Sequence, residues 1–306
     1  MASPLPAGEP DHLVWKRTTV DGRTALYGVA GEGVPVLFLH GWGLGNHAYK
    51  RALKRLVHMG CRVYAPALPG FGGTPDLPAR YFSFEGYADW INLFLDAVNV
   101  DGPVFVAGHS FGGGVAIRFA HDFSDRVASL VLINSVGGGA WGGAKGEGEG
   151  KGKQQPGKRL ADRPLWDWGI HFPGDILMPR QFARVLPVVL EDAVPNLVRN
   201  PRAMWRVANL ARSADLRPEL EELKAKRVPV VILWGDKDRI IPRASFDELC
   251  ATIGQQGEVV EGNHSWLLAD PDAFGEVMTN ILPVAELAKS FEGLVGQPVE
   301  DHPAAG

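Results

Sequence analysis

A chain of 306 residues that is 45% hydrophobic can bury one large α/β core, alone or carrying an insertion. A formal charge of −4 lacks the basic excess of a nucleic-acid binder and gives no reason to name an anionic membrane as partner. The two cysteines, Cys61 and Cys250, sit in patterns that read as buried strand and helix. That is neither a disulfide framework nor a metal spacing, so a reducing, cytoplasmic setting is expected, with no metal and no cofactor.

Residues 1–12 read as a loose tail without the apolar core of a signal peptide, and no eighteen-residue apolar run predicts a transmembrane segment. Trp15–Val20 and Thr24–Val29 flank Asp21-Gly22, a hairpin signal. Val36–Leu39 is a continuous apolar run, as expected of a strand covered on both faces, and it ends at His40-Gly41-Trp42-Gly43. Asn46 is placed to cap a helix that runs to about His58. Cys61–Ala65 is the next strand and empties into the loop Leu68-Pro69-Gly70-Phe71-Gly72-Gly73. After Ser83, Tyr87, Ile91, Phe94, Leu95 and Val98 recur at helical spacing. The run Val104–His109, a helix to about Phe123 and the strand Val127–Ile133 follow. Strands alternating with helices predict right-handed β-α-β units and a parallel sheet.

The alternation stops after Ser135. Residues 137–157 hold ten glycines with interspersed Lys and Glu, a composition too poor in apolar groups to offset chain entropy, so mobility is expected there. Residues 160–215 combine short helical patterns, six prolines and several large aromatics, which reads as a small helical insertion lying over the sheet. A helix at Glu219–Lys226, a strand at Val228–Trp234, a helix through Cys250, a short strand near Glu258–Val260 and a helix from Pro271 complete the order.

Three residues stand at expected C-terminal strand ends: Ser110, Asp238 and His264. Ligands of open parallel sheets bind at that edge. Gly108, Ser110 and Gly112 form G-x-S-x-G between a strand and a helix, where a one-residue turn would lift the serine clear of the sheet. A serine hydroxyl needs a base to act as a nucleophile, and a histidine held by a carboxylate supplies one. Two acids, Asp236 and Asp238, compete for that last place.

With Gly-His-Ser-Phe-Gly-Gly at 108–113, His40-Gly41-Trp42-Gly43, Leu68-Pro69-Gly70-Phe71-Gly72 and Gly235-Asp236-Lys237-Asp238-Arg239-Ile240-Ile241-Pro242, the chain resembles the α/β-hydrolase superfamily over nearly its whole length. The resemblance implies a mostly parallel eight-stranded sheet flanked by helices, with a helical cap inserted after the sixth strand. The expected division is a core over 1–136, a glycine-rich linker and cap over 137–216, and the rest of the core over 217–306. It implies Ser110 as nucleophile, His264 as base and Asp238 as the acid, because the pattern G-x-x-D-x-x-x-P falls on Gly235, Asp238 and Pro242. Asp236 is then a turn or loop-capping carboxylate, and Asp270 an N-cap. The implied oxyanion donors are the backbone N–H groups of Phe111 and Trp42. His40 and His109 are read as structural. Trp166, Trp168, Phe172, Phe182, Trp205 and Trp266 are candidate pocket residues. Ala67 and Asn263 depart from residues common in relatives without removing a catalytic group.

A serine at the elbow argues against the branches that use aspartate there, the epoxide hydrolases and haloalkane dehalogenases. The expected reaction is cleavage of a carboxylic ester of a small apolar or aromatic substrate through an acyl-Ser110 intermediate. The alternatives are a carbon–carbon bond hydrolase of ring-cleavage diketones and a low-turnover small-molecule receptor on the same fold. Many carbon–carbon hydrolases carry tryptophan directly after the histidine; here Ser265 intervenes before Trp266, which weakens that branch.

Overall fold

The computed structural model describes residues 12–140, 159–162 and 185–282. Trp166, Trp168, Phe172 and Phe182, and most of the glycine-rich stretch, lie outside the described residues.

The fold starts from a hairpin of β1 (Val14–Val20) and β2 (Arg23–Ala30), in register Val20↔Arg23. Asp21 and Gly22 both have positive φ, 48° and 71°, the backbone that a two-residue type I′ turn demands. Six more strands follow: β3 (Val34–Leu39), β4 (Cys61–Pro66), β5 (Val104–His109), β6 (Val127–Ile133), β7 (Val230–Gly235) and β8 (Glu258–Val260). They form one eight-stranded sheet in the order β1-β2-β4-β3-β5-β6-β7-β8, parallel from β4 onward and antiparallel at β1–β2 and β2–β4.

The continuous apolar runs are explained by burial on both faces. Leu37, Leu39, Val104, Val106, Leu130 and Leu132 enter one core, whereas Val36, Phe38, Phe105, Ala107, Val131 and Ile133 enter the other. Helices α1 (Lys50–His58), α2 (Phe84–Ala97) and α3 (Phe111–Asp122) alternate with the central strands. Between β6 and β7, the described residues hold a π-helical turn at Val189–Ala193, α4 (Val194–Arg199), α5 (Pro201–Arg212) and α6 (Arg217–Ala225). α7 (Arg243–Ile253), α8 (Trp266–Ala269) and α9 (Pro271–Ile281) complete the described chain. The first core lies under α2, α3, α6 and α7, and the second under α1, α8 and α9. The expected cap at Asp270 is in place, its Oδ1 accepting from Ala273 N at 3.1 Å, and Ser83, directly before α2, is a second cap whose Oγ accepts from Gly86 N at 3.1 Å.

Two local expectations change. Asn46 does not cap α1; it lies inside a 3₁₀ turn (Asn46–Tyr49), and its Nδ2 donates to the Ala65 carbonyl at 2.6 Å. The start of the glycine-rich stretch is also tied down. Gly137 and Gly138 bridge to Asp215, and Leu216 N donates to the Gly137 carbonyl at 2.8 Å. A side chain at Gly138 would meet the Ser245 carbonyl, so close packing as well as chain entropy accounts for glycine there.

β3 pairs with β4 on one side and β5 on the other, so the chain reverses its direction of sheet growth between β3 and β5. At such a switch point, the loops leaving the two strand ends diverge and open a crevice. β5, β6, β7 and β8 are successive neighbours, and the residues that leave their C-terminal ends meet along one edge.

Candidate active site

Ser110 is the single residue between β5 and α3, at φ 54° and ψ −118°. Such a backbone costs a non-glycine residue about 1–3 kcal/mol, so surrounding contacts must enforce it. They do. Ser110 N donates to the Ile133 carbonyl at 2.9 Å, and the Ser110 carbonyl accepts from Gly113 N at 3.0 Å and Val136 N at 3.2 Å. The turn is tight enough that a Cβ on Gly108 would lie 2.5 Å from the Gly112 carbonyl oxygen, and one on Gly112 would strike the Leu39 carbonyl. The glycines of the motif are therefore required by packing. Phe111 opens α3, where the first N–H groups have no partner within the helix.

The two acids after β7 separate cleanly. Asp238 Oδ2 accepts from His264 Nδ1 at 2.8 Å, and the Asp238 side chain is wholly buried. Its Oδ1 accepts from Ile240 N at 2.8 Å and Ile241 N at 2.9 Å, which fixes the carboxylate plane. Asp236 instead accepts from Gly262 N at 2.8 Å, joining the loops after β7 and β8. With its Nδ1 proton held by Asp238, His264 has Nε2 as its basic nitrogen, and it lines the same cleft as Ser110.

Asn134, at the end of β6, was not singled out in the sequence. Its side chain donates from Nδ2 to Asp238 Oδ2 at 2.5 Å and accepts from Trp266 Nε1 at 3.0 Å. It is fully buried, with φ 45°. The available signal was a polar residue directly after the apolar run of β6, at the same edge as Ser110.

Behind the cleft, a buried chain links three loops. Gly41 N donates to Tyr49 Oη at 3.1 Å, Tyr49 Oη–H to His109 Nδ1 at 2.8 Å, and His109 Nε2–H to the His264 carbonyl at 2.9 Å. Burial, with the nearby His264 ring adding to it, drives the His109 pKa well below the usual histidine value. The ring is therefore neutral, as this set of donors and acceptors requires. His40 Nδ1 donates to the Gly41 carbonyl and its Nε2 accepts from Leu68 N, both at 2.9 Å, and burial lowers its pKa to about 4. Both histidines serve the scaffold of the cleft.

Trp42, Leu44, Ala211 and Ile240 form apolar walls around Ser110 and His264. Ala211 comes from α5, so the insertion between β6 and β7 reaches the cleft. The segment also grips the surrounding loops. Asp192 Oδ2 accepts from Gly45 N at 2.8 Å and Ala48 N at 3.0 Å. Asn196 accepts from Gly72 N at 2.9 Å and donates to the Gly43 carbonyl at 3.3 Å. Asn200 donates to Asp76 Oδ1 at 2.9 Å, and the Met204 carbonyl accepts from Trp42 Nε1 at 2.7 Å. These four residues recur every fourth position, Asp192, Asn196 and Asn200 contributing side chains and Met204 its main-chain carbonyl.

Two aromatic candidates for the pocket need correction. Trp266 is 2% exposed and packs inward against Phe274, because Asn134 takes its indole N–H and the helix from Ser265 turns it away from the cleft. Trp205 is 64% exposed, since α5 turns Ala203, Val207 and Ala211 inward instead. Among the described residues, no cluster of His, Cys, Asp and Glu could hold a metal ion.

A strained serine at the crevice of a mostly parallel sheet, beside an imidazole held by a buried carboxylate, defines a protein of the α/β-hydrolase class. The model of the Alpha/beta hydrolase family matches residues 36–277, and the chain belongs to that family. It is 31% identical to the AB hydrolase superfamily protein YisY of Bacillus subtilis, over 75% of this chain and 83% of that one. A Mycobacterium phage D29 protein named as a non-heme haloperoxidase is 28% identical over 84% of this chain and 91% of its own. In fold, the chain is similar to an esterase from Exiguobacterium antarcticum, with a TM-score of 0.68 at 22% identity, covering 88% of this chain and 100% of the other.

Proposed function

We propose that the protein is a serine hydrolase that cleaves a carboxylic ester of a small apolar or aromatic substrate through an acyl-Ser110 intermediate. The observation that carries this reading is the Asp238–His264 bond of 2.8 Å, which leaves His264 Nε2 as a base in the cleft that holds Ser110. His264 takes the hydroxyl proton as Ser110 attacks the ester carbonyl and returns it to the leaving alcohol. Asp238 keeps the ring in one tautomer and stabilises the imidazolium. Asn134 and the N–H groups of Ile240 and Ile241 hold that carboxylate in place. The N–H groups of Phe111 and Trp42 stabilise the oxyanion, a contribution of about 10²–10³ in rate for each such donor. Water then hydrolyses the acyl enzyme by the same proton transfers in reverse order. The apolar walls supplied by Trp42, Leu44, Ala211 and Ile240 favour an apolar acyl group. Incubation with a fluorophosphonate should add one adduct mass at Ser110, and Ser110→Ala should abolish both labelling and cleavage of short p-nitrophenyl esters. Full esterase activity in Ser110→Ala would overturn the reading.

A further inference from the structure

The segment that grips the cleft loops is amphipathic in the inverted sense. Asp192 and Asn196 are buried against the core, whereas Leu190 is 57% exposed, Val194 42%, Leu197 53% and Val198 75%. Positions i, i+4, i+7 and i+8 fall on one helical stripe, so the apolar groups point outward as a set. The exposure continues onto α5 with Trp205. A helix facing only water gains nothing from such an arrangement, because polar residues at these positions would leave the inward bonds unchanged.

Charge narrows what covers this face. Arg199 and Arg202 are exposed beside it, and Arg206 stacks over Phe82 at 3.6 Å. On the acidic side, Glu191 pairs with Lys50 at 3.6 Å and Asp192 is buried. The face is therefore apolar with a positive rim, although the whole chain carries −4. Exposed aliphatic side chains and arginine on α4 and its flanks, with an exposed tryptophan on the adjoining α5, suit the boundary between acyl chains and anionic headgroups. No helix among the described residues is long and apolar enough to cross a membrane, so contact there would be peripheral.

We infer that the outer face of residues 190–205 docks on an anionic lipid surface. The contact brings the cleft to the lipid, because Met204 and Ala211 of α5 meet Trp42 and the cleft wall. The surface is a binding property and holds whether or not Ser110 forms an acyl enzyme.

The test is co-sedimentation of the full chain with phosphatidylcholine vesicles, with and without phosphatidylglycerol. The wild type should pellet with the mixed vesicles and be released by salt. The double substitution Leu197→Ser/Val198→Ser and the single Trp205→Ser should each leave the protein in the supernatant. Arg199→Gln/Arg202→Gln should weaken binding to mixed vesicles by about 5-fold per arginine and leave the thermal midpoint unchanged. Absence of wild-type binding to mixed vesicles would overturn the inference. So would a dimer in sedimentation equilibrium that Leu197→Ser/Val198→Ser dissociates, since the face would then belong to a second copy.

Discussion

The Asp192 carboxylate, 147 residues downstream, accepts the backbone N–H of Gly45 at 2.8 Å. It also accepts that of Ala48, so a distant carboxylate caps the 3₁₀ turn Asn46–Tyr49 that leads into α1, whereas α1 itself has no side-chain cap. A capping side chain from a distant segment does two things at once. It satisfies donors at a helix start, and it fixes the loop that carries Trp42 to the insertion beside the cleft. Removing it in Asp192→Ala leaves two buried donors without their acceptor, at a cost of about 1–3 kcal/mol. A lower thermal midpoint is expected, together with a larger loss in kcat than in 1/KM for ester cleavage. Asp192→Asn keeps an acceptor oxygen and should recover most of both. Equal kinetics in Asp192→Ala and wild type would mean that the loop holds its position unaided.

Asn134 bears on the same chemistry from the other side. Asn134→Ala deprives Asp238 of a donor and Trp266 of its acceptor. A fall of about 10-fold or more in kcat/KM is expected, from about 1.5–3 kcal/mol for a hydrogen bond to a charged group. Steady-state kinetics on a short ester, with circular dichroism to verify folding, measures it.

The strain at Ser110 makes a stability prediction that runs opposite to activity. Ser110→Gly and Ser110→Ala both remove the hydroxyl, but glycine tolerates φ 54° without a Cβ penalty. The glycine variant should be more stable than the alanine variant by about 1 kcal/mol, read from chemical denaturation midpoints, while both are inactive.

Burial holds His40 at about 4 and His109 well below the ordinary histidine value. Both rings are neutral in the folded state, whereas in the unfolded chain they protonate near about 6.5. The unfolded state therefore takes up protons first as pH falls. The stability tied to these neutral rings is complete above about 6.5 and is lost on acidification, with His40 losing its share down to about 4. Each histidine contributes a slope of about 1.4 kcal/mol per pH unit in that window. Urea denaturation across the window should show the slope, and His109→Gln should reduce it by one proton's worth.

Trp42 separates backbone from side chain. Trp42→Phe retains the main-chain N–H and removes the bond from Nε1 to the Met204 carbonyl. A modest change in kcat, below about the 10²-fold cost of losing an oxyanion donor, should accompany a shift in preferred acyl length. A panel of p-nitrophenyl esters of increasing chain length reads both.

Much of the frame was legible locally. The hairpin at Asp21-Gly22, the doubly buried strands and the cap at Asp270 depend on turn chemistry, period and nearest neighbours. The elbow was legible for the same reason, because glycine spacing reports where backbones touch. Trp205 and Trp266 were not. An aromatic residue has no local preference for cleft over core or solvent, and here the bond to Asn134 and the orientation of α5 decided.

The sequence by itself determined that strands and helices alternate, that Ser110 sits at a strained strand-to-helix turn, and that Asp238 and His264 follow at later strand ends. These follow from residue types and short spacings. The motif pattern already favoured Asp238 over Asp236, and the tertiary structure brings it to His264; only that structure shows that Asn134 holds the acid and that Asp192 caps the loop beside Ser110. Each is a hydrogen bond between chain segments 26 to 147 residues apart, and its geometry exists only once the sheet sets adjacent strand ends side by side.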